Sequence, residues 1–73
     1  FLWLKFSNHL GVIKTKPGYA AGIASMIDGA GPYEILSTIA GDDTVLIVPV
    51  EGIKQNDIKR ALILIMPELE GRI

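Results

Sequence analysis

Apolar positions fall into short runs separated by turn-forming residues, and each run has a period of its own. Phe1-Leu2-Trp3-Leu4-Lys5-Phe6 and Leu10-Gly11-Val12-Ile13-Lys14-Thr15 read as two strands joined across Ser7-Asn8-His9, the simplest join being a hairpin. Pro17-Gly18 breaks that pattern, with Pro suited to a first helical position, and a helix is predicted from Tyr19 to Asp28. Ile23, Met26 and Ile27 mark its apolar side; Ala20, Ala21, Gly22, Ala24 and Ser25 keep the rest slim. Gly22 costs ~1 kcal/mol relative to Ala in a helix, so close packing is the expected reason for it. After the loop Gly29-Ala30-Gly31-Pro32, strands are predicted at Ile35 to Ala40 and Thr44 to Val50. Val45-Leu46-Ile47-Val48 is apolar on both faces, which calls for cover on both sides: a helix on one and a neighbouring subunit on the other. Asn56 or Asp57 can cap a last helix, Ile58 to Leu69, whose stripe is Ile58, Ala61, Leu62, Ile65, Met66 and Leu69. Pro67 should kink it or end it early. The order ββαββα predicts an α+β fold, a four-stranded antiparallel sheet with two helices packed on one face, forming a single domain over residues 1–73.

Charge enters this pattern most sharply at Ala40-Gly41-Asp42-Asp43-Thr44, where two adjacent carboxylates divide two apolar strands. Gly and Asp suit a tight reversal, so the stretch reads as a hairpin turn. Strands on both sides would also hold the pair still, making an anionic spot for a cationic ligand. The two roles are compatible. Asp28 has a similar double reading. It is either an exposed residue starting a loop or a functional carboxylate at the unfavourable negative end of a helix.

Composition narrows the function. With 73 residues, 49% of them hydrophobic, and a mean hydropathy of +0.40, the chain has more apolar surface than one small core can hide, which predicts self-association. A net charge of −1 and pI of 5.7 leave no basic face for nucleic-acid phosphates. Cys is absent, which excludes disulfides and thiol chemistry, and with His9 the only histidine a zinc site would need carboxylates with at most one imidazole, a set that suits that metal poorly. No Ser/His/Asp or Cys/His set can be assembled, and no enzyme activity is expected. The Phe1–Phe6 run is too short for a membrane span and lacks a leader pattern. Phe1 in place of Met suggests a fragment or a processed chain.

Thr15-Lys16-Pro17-Gly18-Tyr19-Ala20, Ile23-Ala24-Ser25-Met26-Ile27-Asp28 and Ser37-Thr38-Ile39-Ala40-Gly41-Asp42-Asp43-Thr44 together resemble the C-terminal domain of bacterial arginine repressors. The resemblance covers nearly the whole chain, and the Thr-Ile-Ala-Gly-Asp-Asp-Thr run is its specific part. It implies a cytoplasmic repressor controlling arginine-metabolism genes, with L-arginine as corepressor and no other cofactor. It further implies trimers pairing into a hexamer with the ligand where trimers meet. Operator DNA would be read only by an N-terminal winged helix-turn-helix domain that these residues do not contain. Carried over by motif position, Asp42 and Asp43 would bind the guanidinium, Asp28 would face the α-amino group, and Thr38 would complete the polar end. Ala21 and Ala40 would line the pocket. A guanidinium is a planar, permanently charged fork that a carboxylate matches through two parallel hydrogen bonds.

Ala21 departs from the family pattern, which has Gln or His there, so one hydrogen-bonding arm to the ligand is missing. Alternatives therefore stand beside an arginine sensor. One is a sensor of a related amino acid. A second is a divalent-metal site using Asp28, Asp42 and Asp43. A third is a purely structural oligomerisation module in which the Asp pair only shapes a turn.

Overall fold

The computed structural model describes all of residues 1–73. Strand β1 (Trp3–Ser7) pairs antiparallel with β2 (Leu10–Lys14), and Ser7 faces Leu10 across a two-residue turn. That turn is Asn8-His9, and Asn8 adopts φ 55°, a left-handed conformation that Asn tolerates better than most residues. Strand β3 (Ile35–Ala40) matches its predicted bounds, and β4 (Thr44–Pro49) ends one residue early, at the proline. All neighbours are antiparallel in the order β1-β2-β4-β3, so β4 lies between β2 and β3. A register shift between Ile35 and Ser37 interrupts the β3–β4 ladder, and Leu36 there is 70% exposed.

Helix α1 (Ala20–Ala30) begins after Pro17, which belongs to the preceding turn and not to the first helical position. It continues past Asp28 until Gly31, whose φ of 62° is the left-handed C-cap; the Gly31 N–H reaches the carbonyls of Ile27 and Asp28. Its buried residues are Ala20, Ala24 and Ile27, spaced one turn apart, while Met26 is 49% exposed. The expected apolar side is thus rotated. Two alanines bring the helix close to the sheet, and Met26 points away from it. A side chain at Gly22 would meet nothing within 4 Å, so close packing inside the chain does not explain that glycine.

Helix α2 (Gln55–Ile65) starts earlier than predicted. Asp57 caps it from the third helical position by accepting the Lys54 backbone N–H at 3.1 Å, as in the return arm of a capping box. Pro67 ends the helix, as its missing N–H requires, and a 3₁₀ turn (Pro67–Leu69) carries Leu69 back into the core.

Both helices lie on one sheet face. The core there joins Ile13, Val45 and Ile47 to Ala20, Ala24, Ile27, Ile58, Leu62, Met66 and Leu69. Gly11 is buried beneath Phe6, and an added Cβ would lie 3.3 Å from that ring and 3.4 Å from Ile47 Cβ; the missing side chain lets the two pack. The other face carries no helix. Val12, Leu46 and Ile39 form one cross-strand row on it, with Ile39 62% exposed.

Candidate functional site

The β3–β4 turn is pinned from behind by main-chain bonds. Gly41 N–H reaches the Thr44 carbonyl at 2.8 Å and closes the reversal. The Asp42 carbonyl accepts the N–H groups of Gly18 (3.0 Å) and Ala20 (3.4 Å), and the Asp43 carbonyl accepts Thr15 N–H at 2.8 Å. Tyr19 supplies no side-chain cap to α1, so the Asp42 carbonyl takes an N–H group at the start of that helix in its place. The Pro17-Gly18 and Gly41-Asp42-Asp43 motifs are therefore two halves of one contact.

Their two carboxylates have different surroundings. Asp43 Oδ2 lies 3.1 Å from Lys14 Nζ, and Asp43 Oδ1 accepts the Thr44 hydroxyl at 2.9 Å. Lys14 Nζ also donates to Thr44 Oγ1 at 3.2 Å, closing a three-membered network. The Lys14 hydrogen bond, followed by that of Thr44, holds the Asp43 carboxyl below its ordinary pKa. Asp42 is exposed, and its carboxylate has no hydrogen-bond or salt-bridge partner in the chain. The sequence pattern missed Lys14 and Thr44. They become neighbours of the turn only because β2 pairs with β4, with Lys14 opposite Thr44.

Asp28 and Thr38 meet directly. Thr38 Oγ1 on β3 donates to Asp28 Oδ1 in the last turn of α1 at 2.9 Å, which relieves a carboxylate at the negative helix end. Ala21 is exposed two helical turns before Asp28, on the same side of α1, and Ala40 is exposed two residues after Thr38 on the same side of β3. The predicted residues thus form two groups: Asp28 with Thr38 near the C-terminal end of α1, and Asp42 with Asp43 near its N-terminal end. Eight residues of helix, about 12 Å along the axis, separate Ala20 from Asp28. No group of three acidic or histidine side chains is close enough to hold a metal ion, so the three aspartates do not make a chelating cluster within one chain.

Neither Asp42 nor Asp43 lines any of the three surface hollows. A hollow of about 390 Å³ includes Asp28 with Ile27, Ile35 and Ser37. The largest, about 710 Å³, runs between the end of α1 and α2 past Met26, Tyr33 and Leu64; no predicted site residue lines it, though it shares Gly31 and Pro32 with the hollow at Asp28. His9 sits on the exposed β1–β2 turn beside a third hollow with Pro49 and Ile53, at the end of β2 opposite the Asp42–Asp43 turn.

Comparison with known proteins places the chain in a family. Residues 1–63 match the family described as "Arginine repressor, C-terminal domain". An arginine repressor of Parabacteroides distasonis is 56% identical over 59 residues, covering 81% of this chain and 40% of that protein. Those of Phocaeicola vulgatus and Bacteroides thetaiotaomicron are 49% and 46% identical over 70 residues, covering 96% of this chain and 44% and 45% of theirs. The chain therefore spans less than half the length of these relatives, which are named as repressors and not as enzymes.

Proposed function

The chain belongs to the arginine repressor C-terminal domain family, and from that premise we propose that it is the L-arginine-sensing, self-associating part of a cytoplasmic transcriptional repressor of arginine-metabolism genes. Operator contact belongs to a winged helix-turn-helix domain outside these residues. The observation that carries the reading is the pinned β3–β4 turn, which holds an exposed and unpartnered Asp42 carboxylate on a backbone fixed by the start of α1. Rigid presentation of an open carboxylate is what a guanidinium fork needs.

In this reading Asp42 takes the fork, and Asp43, each of whose oxygens already meets Lys14 or Thr44, stands beside it in the wall of the site. The Asp28–Thr38 pair receives the α-amino end of a ligand, and Ala21 and Ala40 leave room for its aliphatic stem. Because Asp42 and Asp43 line no hollow of the single chain, ligand is enclosed only when chains associate, as trimers that pair into a hexamer. The uncovered row Val12, Leu46 and Ile39 provides apolar surface for association. Carboxylates gathered at such an interface repel one another and lose hydration, at a cost of several kcal/mol that a doubly cationic ligand offsets. Ligand and assembly then stabilise each other reciprocally.

Thermal unfolding at fixed protein concentration, with L-arginine, L-citrulline or L-ornithine added, tests the proposal. A stabilisation specific to arginine, together with larger particles in sedimentation, is expected. Stabilisation by citrulline or ornithine alone would change the ligand, and no response to any of the three would favour a purely structural oligomerisation module.

A further inference from the structure

We infer that Lys14 is a resident counter-cation of the β3–β4 turn and that, by occupying Asp43, it sets the turn's preference for a guanidinium over an ammonium. The second half of this inference rests on the arginine-sensing reading of the same turn. Lys14 lies on the uncovered sheet face opposite Thr44, and its ammonium reaches both Asp43 Oδ2 (3.1 Å) and Thr44 Oγ1 (3.2 Å). With the Thr44 hydroxyl on Oδ1, each Asp43 oxygen already has an internal donor. A bidentate fork needs both oxygens of one carboxylate, and only Asp42 offers them free. The chain's other salt bridge, Arg60 with Asp57, is on α2, so Lys14 is the one cation within ion-pair distance of the turn.

Selectivity follows from how the two ligand cations bind. Guanidinium affinity comes largely from planar, two-bond geometry at a single carboxylate, whereas an ammonium is a point charge that responds to total negative charge nearby. Lys14 lowers the formal charge of the turn from −2 to −1 and leaves one carboxylate open. An ammonium-bearing amino acid loses more by this than arginine does. Positioning of Asp43 also keeps the adjacent carboxylates from competing for one ligand in different orientations.

The test compares the unaltered protein with Lys14→Met and Lys14→Arg. Calorimetry gives dissociation constants for L-arginine and L-ornithine. The preference for arginine should narrow roughly two- to fivefold in Lys14→Met, the size of one exposed charge interaction, and persist in Lys14→Arg. Loosening of the fold would weaken both ligands alike and leave their ratio unmoved. In parallel, NMR titration of the Asp43 carboxyl without ligand should rise toward ordinary values in Lys14→Met and stay low in Lys14→Arg. An unchanged ratio in Lys14→Met, or an Asp43 that titrates normally in the unaltered protein, overturns the inference. If neither amino acid binds but the Asp43 titration follows residue 14, the counter-cation stands and the arginine reading falls.

Discussion

Substituting Asp42 by Asn separates binding from folding with unusual clarity, because the residue serves the fold through its backbone. Its carbonyl receives Gly18 and Ala20, and its exposed side chain makes no bond within the chain. Asn keeps that carbonyl, so the ligand-free protein should stay within about 0.5 kcal/mol of the original. For a domain of this size that is a shift in Tm of about 4 °C or less. Binding responds differently. Replacing a charge-assisted pair of hydrogen bonds by neutral ones costs about 2 kcal/mol, or about 30-fold in Kd. L-arginine at about 100 times the original Kd adds roughly 2.7 kcal/mol to native stability; the same concentration is only about three times the variant's Kd and adds roughly 0.9 kcal/mol. The arginine-induced rise in Tm should thus fall from roughly 11–22 °C to roughly 4–7 °C at ~4–8 °C per kcal/mol. Differential scanning calorimetry at matched ligand concentration reads both numbers. An Asp42→Asn protein that keeps the full arginine response would refute Asp42 as the guanidinium partner. A large loss in ligand-free Tm would instead make the carboxylate part of the fold.

Other consequences are equally direct. Asp43, held below the ordinary 3.8 by Lys14 and Thr44, contributes stability that is present above that unfolded-state value and lost as pH falls through the lowered folded-state one. Urea midpoints followed from neutral pH down through 3.8 should therefore drop less in Asp43→Asn than in the unaltered protein, and parallel curves would count against the pairing. Ile47 is fully buried in β4, so Ile47→Ala should cost about 2–5 kcal/mol in urea unfolding; a loss below about 1 kcal/mol would mean that the core collapses around the gap. Gly31→Ala should cost about 1–2 kcal/mol through its left-handed φ alone, since a Cβ there meets nothing within 4 Å. Gly31→Asn should recover part of that loss in the same assay, because Asn tolerates this conformation better.

Local order was legible in the sequence because side-chain period and turn chemistry act over a few residues. An apolar run rich in β-branched residues marked β3 as Ile35–Ala40, Gly41-Asp42-Asp43 supplied its reversal, and the stripe from Ile58 through Leu69 marked the core side of the last helix and its 3₁₀ turn. The sequence by itself thus determined the order ββαββα, and its motif run pointed to the family that residues 1–63 match. Which surface a helix buries and which ions meet depended on partners distant along the chain. Met26 fits a helical stripe, yet the sheet takes Ala20, Ala24 and Ile27, because two alanines permit a closer approach. Thr38 finds Asp28 across 10 residues, and Lys14 finds Thr44 across 30, through the β2–β4 register. Neighbouring carboxylates identical in type became unequal through that pairing, one bonded inside the chain and the other left open. Local pattern carries no information on strand order, and strand order decided which aspartate was free.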